Sequence, residues 1–82
     1  MSDFNQAIKI NPNFEVAYYN RGNTYYDLKN YQQAIADYTQ AINLNPNYEN
    51  AYYNRGLCYK SLGRNSEAER DFAKARQLGY NG

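Results

Sequence analysis

Tyrosine, asparagine and arginine recur together in this chain and are the residues best suited to contact another molecule. The stretch AYYNRG stands at Ala17–Gly22 and again at Ala51–Gly56, 34 residues later (51 − 17 = 34). A tyrosine side chain offers a rigid apolar ring with a hydroxyl at its tip. An asparagine side chain can both donate and accept a hydrogen bond. This chemistry suits apolar contact and hydrogen bonding with another molecule.

Residues typical of catalysis are scarce. The chain has 82 residues with no histidine and one cysteine, Cys58, so no histidine can ligate zinc or activate the thiol. The carboxylates show no paired arrangement typical of a hydrolase. We therefore predict that the protein is not an enzyme, has no metal site or cofactor, and keeps Cys58 as a buried, inert thiol.

The charge balance and hydropathy pattern exclude further classes. Nine lysines and arginines face eight aspartates and glutamates, a net charge of +1, whereas a phosphate-binding surface needs a clear basic excess. No apolar run approaches the ~20 residues that span a bilayer. The amino-terminal residues lack the pattern of a signal peptide. We predict a cytoplasmic protein that binds neither nucleic acid nor membrane.

The repeat of AYYNRG extends along the whole chain. Aligning residues 15–48 with residues 49–82 gives 14 identities in 34 positions, and residues 1–14 match the end of a third copy. The sequence therefore predicts one domain, 1–82, made of a partial unit (1–14, its second helix only) and two full units (15–48 and 49–82).

Each full unit has the pattern of two helices. In the first unit Tyr18, Gly22 and Tyr25 recur at helical spacing, and Ala34 and Tyr38 do so further on. The sequences LKN and LGR predict tight turns, and NPN predicts a helix end. The expected fold is all-α, with five helices near 2–10, 15–28, 31–44, 49–62 and 65–78.

Two local features of these helices are specific enough to check. Asn30 with Gln33 predicts a capping box at the second helix of the first unit. Gly22 and Gly56 lie inside helices, where glycine costs about 0.5–1 kcal/mol relative to alanine. A destabilising glycine at the same position of both units predicts that two helices approach each other closely there.

The recurring residues resemble the tetratricopeptide repeat family, whose signature is a 34-residue helix–turn–helix unit. In this sequence Arg21 and Arg55 replace the usual leucine before the glycine, and Tyr80 replaces the closing proline of the second unit. The matching residues are Tyr18, Gly22, Tyr25, Ala34, Tyr38, Ala41 and Pro46 in the first full unit and Tyr52, Gly56, Tyr59, Ala68, Phe72 and Ala75 in the second.

The resemblance implies a right-handed superhelical α-solenoid of antiparallel helix–turn–helix repeats. It also implies that the first helix of each unit lines a concave groove that holds a peptide or a partner helix. Alternatively, some of the tyrosines on these helices only cover neighbouring helices. The residues expected in the groove are Val16, Tyr19, Asn20, Asn23, Tyr26, Asp27, Asn50, Tyr53, Asn54, Leu57 and Lys60.

Some members of this family carry a carboxylate clamp, a set of asparagines and basic residues that binds the C-terminal acid of heat-shock chaperones. Asn23 and Asn54 match its asparagine positions. Tyr19 stands where a basic residue is expected, which disfavours a clamp here.

The arginines before the two glycines need partners, because an unpaired buried charge is expensive. Asp3, Asp37 and Asp71 recur with the same 34-residue pitch as Arg21 and Arg55. We predict a ladder of Arg–Asp pairs that links helices; the alternative is an arginine that binds a ligand.

The leading interpretation is a noncatalytic interaction module for a protein or peptide partner. The alternative is a solenoid whose uncovered ends, including Phe72, Ala75 and Leu78, join copies into a homo-oligomer. Helical repeats can also read RNA one base per unit, but the net charge of +1 disfavours that function.

Overall fold

A computed structural model describes residues 14–80, and every helix or strand within that range is an α-helix. The all-α prediction is confirmed, and each helix ends within one residue of its predicted end. Four of the five predicted helices are present; the one expected near 2–10, with the partial unit 1–14 to which it belongs, falls almost wholly outside the described residues. The helices are α1 (Phe14–Asp27), α2 (Tyr31–Leu44), α3 (Glu49–Ser61) and α4 (Asn65–Gln77).

The helices stack in chain order, as in a short solenoid. The first hairpin is α1 packed on α2, and the second hairpin is α3 packed on α4; α2 packs on α3, and α1 makes a smaller contact with α3. Each helix thus covers the apolar face of its neighbour, which a single hairpin could not do. Within the described residues no helix is long and apolar enough to span a bilayer.

Left-handed residues close the hairpin turns. Lys29 has φ of 61° and Gly63, its counterpart in the second hairpin, has φ of 76°. The following N–H groups turn back to the preceding helix: Asn30 N donates to Tyr25 O at 2.9 Å and Arg64 N to Tyr59 O at 2.8 Å. These bonds satisfy carbonyls that the helix end leaves free.

The helix starts do not use the predicted capping box. Asn30 is the residue before α2, but its side chain makes no capping hydrogen bond, so that prediction was wrong. The end of α2 is as predicted: Asn45 N donates to Ala41 O at 2.9 Å, and the Asn45 side chain accepts a bond from Asn47 N at 3.2 Å.

Glycine allows the two helices of each hairpin to approach closely. A Cβ atom added to Gly22 would lie 2.8 Å from Cε1 of Tyr38, and one added to Gly56 would lie 2.7 Å from Cε1 of Phe72. Both distances are well inside van der Waals contact, so the predicted close approach is confirmed. The buried core around these crossings consists of Ala34, Tyr38, Ala41, Ile42, Ala51 and Cys58.

Paired charges fasten each hairpin beside its glycine. Arg21 Nε and Nη2 donate to the two carboxylate oxygens of Asp37 at 2.8 and 2.9 Å. Arg55 makes the same bidentate contact with Asp71, at 2.8 Å for both bonds. Arg55 Nη1 also donates to Thr39 Oγ1 at 3.2 Å, which links the two hairpins. Both Arg–Asp pairs of the predicted ladder that fall within residues 14–80 are confirmed, whereas Asp3 lies outside the described residues.

Candidate peptide-binding site

A pocket of 340 Å³ opens where α1 and α3 lie side by side. Its volume is at the lower end of the range of about 300–1,000 Å³ that is typical of ligand sites, so it suits one large side chain. Five of its lining residues were expected in the groove, and one, Tyr38, was not. The lining residues are Asn23, Tyr26 and Asp27 of α1, Tyr38 of α2, and Asn54 and Leu57 of α3.

A hydrogen-bonded network forms the floor of the pocket. The Tyr38 hydroxyl donates to Asn23 Oδ1 at 2.5 Å. Asn54 Nδ2 donates to the same Asn23 oxygen at 3.1 Å and to the Tyr19 hydroxyl oxygen at 2.9 Å. Since an amide nitrogen carries two hydrogens, both donors of Asn54 are engaged. The network joins three helices and fixes the orientation of both asparagines.

Burial decides the protonation of Tyr38. Its side chain is fully buried, and the loss of solvent raises the pKa of the Tyr38 hydroxyl far above its ordinary value of 10.0. The hydroxyl therefore stays protonated, as a donor to Asn23 requires. Burial also raises the pKa of Tyr26 above 10.0, so that this hydroxyl is neutral at physiological pH.

The three tyrosines expected in the groove all pack against other rings while remaining partly exposed. Tyr19 lies 4.9 Å from the ring of Tyr48, and Tyr26 meets Tyr31 at 5.7 Å in an edge-on arrangement. Tyr53 stacks on Tyr80 at 4.3 Å. Each ring covers a neighbour, as the alternative interpretation expects, and keeps some surface toward solvent. That these tyrosines face a binding groove stays a prediction.

The other expected groove residues do not line the pocket. Val16, with 38% of its surface exposed, and Asn20 lie on α1 toward its amino-terminal end. Asn50 and Lys60 are exposed at the two ends of α3. They extend along the same two helices as the pocket residues, and their part in binding stays a prediction.

Sequence reasoning missed Tyr38 as a site residue. It was assigned to the core as an aromatic on the second helix of its unit, and the core assignment is correct. Its hydroxyl nevertheless reaches the pocket floor. A signal was present, because the second unit has Phe72 at the matching position and Leu57 where the first has Asn23.

The network bears on the carboxylate clamp. Asn23 and Asn54 do lie together at the pocket, as the clamp positions require, but they bond to each other. The charged lining residue is Asp27, an acid. A C-terminal carboxylate would meet the like charge of Asp27 and the engaged amide hydrogens of Asn54, so this arrangement disfavours the clamp.

Cys58 lies beneath this surface, with 0% of its area exposed. Burial raises the pKa of its thiol from 9.0 to about 12, so it is not a thiolate at neutral pH. The prediction of a buried thiol is confirmed. Among residues 14–80 no group of three or more histidine, cysteine, aspartate or glutamate side chains could hold a metal ion.

Comparison with family models identifies the class of protein. A model described as TPR repeat matches residues 22–63, and two models described as Tetratricopeptide repeat match residues 4–36 and 49–78. The chain belongs to the tetratricopeptide repeat family. No curated protein matches this sequence.

Solved structures of the same fold include proteins of several kinds. The TPR domain of Arabidopsis OM64 is 36% identical, with a TM-score of 0.87 over 93% of this chain and 63% of that one. The first TPR of Spaghetti (RPAP3), bound to the HSP90 peptide SRMEEVD, is 29% identical, with a TM-score of 0.89 over 96% and 63%. MamA is 32% identical, with a TM-score of 0.85 over 92% and 44%. This chain therefore spans less than two thirds of each of these structures.

Proposed function

We propose that this chain is a noncatalytic protein-interaction module that binds a peptide or a partner helix along the surface of α1 and α3. The observation that carries the proposal is the pocket between these helices, whose floor is held by the Tyr38–Asn23–Asn54 network. A preorganised floor lowers the entropy lost on binding. Partly exposed tyrosines on both sides add apolar contact area at low rotamer cost.

The structural neighbours support this function by analogy. The first TPR of Spaghetti (RPAP3) is described with a bound HSP90 peptide, and it shares this fold over 96% of the present chain. A shared fold alone does not show that two proteins bind the same ligand. The neighbour supports the class of partner, a peptide, and the residues of this chain must supply its identity.

We extend the proposal to the organisation of the domain. Residues 15–48 and 49–82 form two full units and residues 1–14 the end of a third, within a right-handed superhelix. The groove would then follow the first helices of successive units. Its wall would consist of the pocket residues Asn23, Tyr26, Asp27, Asn54 and Leu57, with Val16, Tyr19, Asn20, Asn50, Tyr53 and Lys60 along the same helices.

A binding experiment with two pocket variants tests the proposal. Peptides selected from a random library against the wild-type chain would be titrated against Tyr26→Ala and Leu57→Ala by fluorescence anisotropy. We expect each variant to weaken binding at least tenfold, the loss of about 1.4 kcal/mol that is common for a buried contact residue. Gln40→Ala, an exposed change on α2, is the matched control. Equal affinity for all four proteins would contradict binding at this surface.

Assembly through the ends is the alternative. Of the residues expected to be uncovered on α4, Ala75 is fully buried and Phe72 is partly covered by the ring of Tyr53. The exposed residues of α4 are mostly polar or charged, which favours an end that faces solvent over an end that self-associates. Sedimentation across a concentration series distinguishes the functions, since self-association at micromolar concentrations would support assembly. The exposed residues of α4 are Asn65, Ser66, Glu69, Arg70, Ala73, Arg76 and Gln77.

A cytoplasmic location and the absence of nucleic-acid binding remain predictions. Binding of labelled RNA that weakens with rising salt would contradict the second.

A further inference from the structure

We infer that the pocket between α1 and α3 accepts a cationic side chain, lysine or arginine, from the bound peptide, with Tyr26 and Asp27 as its contacts. This inference rests on the proposed function and adds the chemistry of the ligand. It assigns this surface to a basic segment and not to an acidic C-terminal one such as the SRMEEVD peptide of the structural neighbour.

Charge complementarity is the first argument. Asp27 is the charged residue among those that line the pocket, and it is exposed. The arginines of the same two helices are held elsewhere, because Arg21 and Arg55 make bidentate contacts with Asp37 and Asp71. A carboxylate at the rim is therefore the local charge that a ligand meets, and it favours a cation.

The hydrogen-bonding capacity of the floor points the same way. Both hydrogens of Asn54 Nδ2 are engaged by Tyr19 and Asn23, and the Tyr38 hydroxyl hydrogen is engaged by Asn23. Asn54 Oδ1 belongs to the same fixed amide and is an acceptor. An acceptor in the same pocket lining as the Asp27 carboxylate suits an ammonium or guanidinium group, which carries only donors.

The aromatic wall adds a third contribution. Tyr26 lines the pocket beside Asp27, and its hydroxyl is neutral at physiological pH. A cation over the face of a tyrosine ring is attracted by the negative charge of that face. The protein already uses this contact on another face, where Arg64 lies 5.2 Å from the centre of the Tyr59 ring.

Carboxylates also stand at the other end of the two helices. Glu15 and Glu49 occupy the first turns of α1 and α3. Burial, which is the main cause, then Tyr19 and then the charges of these two glutamates raise the pKa of Tyr48 to about 12. Lys60, near the end of α3, is exposed and does not line the pocket. The amino-terminal end of the surface is thus acidic. At the other end Asp27 lies in the pocket lining, whereas Lys60 lies outside it.

The test compares peptides and variants of the full chain. A random peptide library is selected on the wild-type protein, and the SRMEEVD peptide is titrated in parallel. We expect lysine or arginine to be enriched in the selected peptides and SRMEEVD to bind at least fivefold more weakly than the best of them. Asp27→Asn should lower affinity for the basic peptides about fivefold, since a partly exposed ion pair contributes about 1 kcal/mol. Glu69→Gln, the same charge change on the outer face of α4, should have no effect.

The outcomes separate this inference from the function on which it rests. Selected peptides that are acidic, or that bind Asp27→Asn as tightly as the wild type, would overturn the cationic ligand. If those peptides still lost affinity in Tyr26→Ala, the proposed function would stand. A library that gave no binder to a folded protein would overturn both.

Discussion

The two hairpins hold their central aromatic ring in different ways. In the first, the Tyr38 hydroxyl bonds to Asn23, and Asn23 bonds to Asn54 of the next hairpin. In the second, the matching residues are Phe72 and Leu57, which can form no such bond. The polar pair of one hairpin is replaced as a pair by apolar residues in the other. Replacing both partners avoids a buried polar group without a bond.

The difference shows which positions define the fold and which are free to acquire a function. The glycine, the Arg–Asp pair and the aromatic ring above the glycine occur in both hairpins. The hydrogen-bonded pocket floor occurs where the two hairpins meet. The stacking of α3 on α1 therefore creates a site that neither hairpin contains alone.

The largest effect is expected at the Arg–Asp pairs that both hairpins share. Asp37→Ala or Asp71→Ala leaves a partly buried arginine without its carboxylate, which should lower the free energy of unfolding by about 2–4 kcal/mol. Urea denaturation and the melting temperature measure this loss. Glu67→Ala removes the exposed partner of Arg64 and should change little. An unchanged melting temperature for Asp37→Ala would refute the structural ladder.

Replacing each helical glycine by alanine tests how firmly the aromatic ring beside it is held. In Gly22→Ala the new methyl meets Tyr38, which is fully buried and held by its hydroxyl. Overpacking of about 1–3 kcal/mol should exceed the gain of about 1 kcal/mol in helix propensity. In Gly56→Ala the new methyl meets Phe72 and lies 3.2 Å from the Ala68 backbone oxygen. Because Phe72 is only partly buried and can shift toward solvent, this change should cost less. The same urea series measures both, and a larger loss for Gly56→Ala would contradict this ranking.

The buried thiol makes stability depend on pH. The pKa of Cys58 is 9.0 when solvated and about 12 in the fold. The contribution of the neutral thiol to the free energy of unfolding is fully present below pH 9.0 and is lost as the pH rises toward 12. The loss amounts to at most about 1.4 kcal/mol per pH unit. In Cys58→Ala the free energy of unfolding, measured by urea denaturation, should fall less steeply above pH 9.0 than in the wild type. Identical slopes for the two proteins would show that the thiol is not the cause.

Exchanging tyrosine and phenylalanine tests whether Tyr38 and Asn23 act as a pair that Phe72 and Leu57 replace together. Tyr38→Phe removes one hydrogen bond while Asn23 keeps its bond from Asn54, so the loss should be about 1 kcal/mol. Phe72→Tyr adds a hydroxyl in a hairpin where leucine stands in place of asparagine, and should also destabilise. Adding Leu57→Asn to Phe72→Tyr should recover part of that loss. Double-mutant analysis measures the coupling, and additive effects would argue against a pair.

The smallest effect is expected at the turns. Lys29 adopts a left-handed φ of 61° where the second hairpin has Gly63 at 76°. A non-glycine residue in this conformation destabilises the fold by about 1–2 kcal/mol. Glycine avoids that cost, but it raises the conformational entropy of the unfolded chain, which offsets part of the gain. Lys29→Gly should stabilise by about 0.5–1 kcal/mol, and Gly63→Lys should do the reverse, since no atom lies near the Cβ that it adds. Shifts of the same sign in the two variants would contradict a backbone origin.

The sequence predicted the fold well because its signals are local or periodic. Helical spacing and breaker residues placed all four described helices. The 34-residue pitch predicted that Arg21 and Arg55 pair with the recurring aspartates, and the structure shows the partners to be Asp37 and Asp71. The capping box failed, because asparagine side chains form several local hydrogen bonds and composition does not choose among them.

The candidate site was predicted only in part. The resemblance to the repeat family placed five pocket residues among those expected on the first helices. It also included Val16, Asn50 and Lys60, since a family pattern does not say where along two helices a pocket opens. Tyr80 covers the ring of Tyr53 as Tyr48 covers that of Tyr19, although it does not follow the repeat pitch.

The sequence by itself determined the helices, their order and the pairs that recur with the repeat, because these depend on spacing along one chain. Only the tertiary structure decided that Asn54 would bond to Asn23 and Tyr19, and that the Tyr38 hydroxyl would reach the same point. These contacts depend on the distance and rotation between α1 and α3. Packing across the whole stack sets that geometry, and no single segment encodes it.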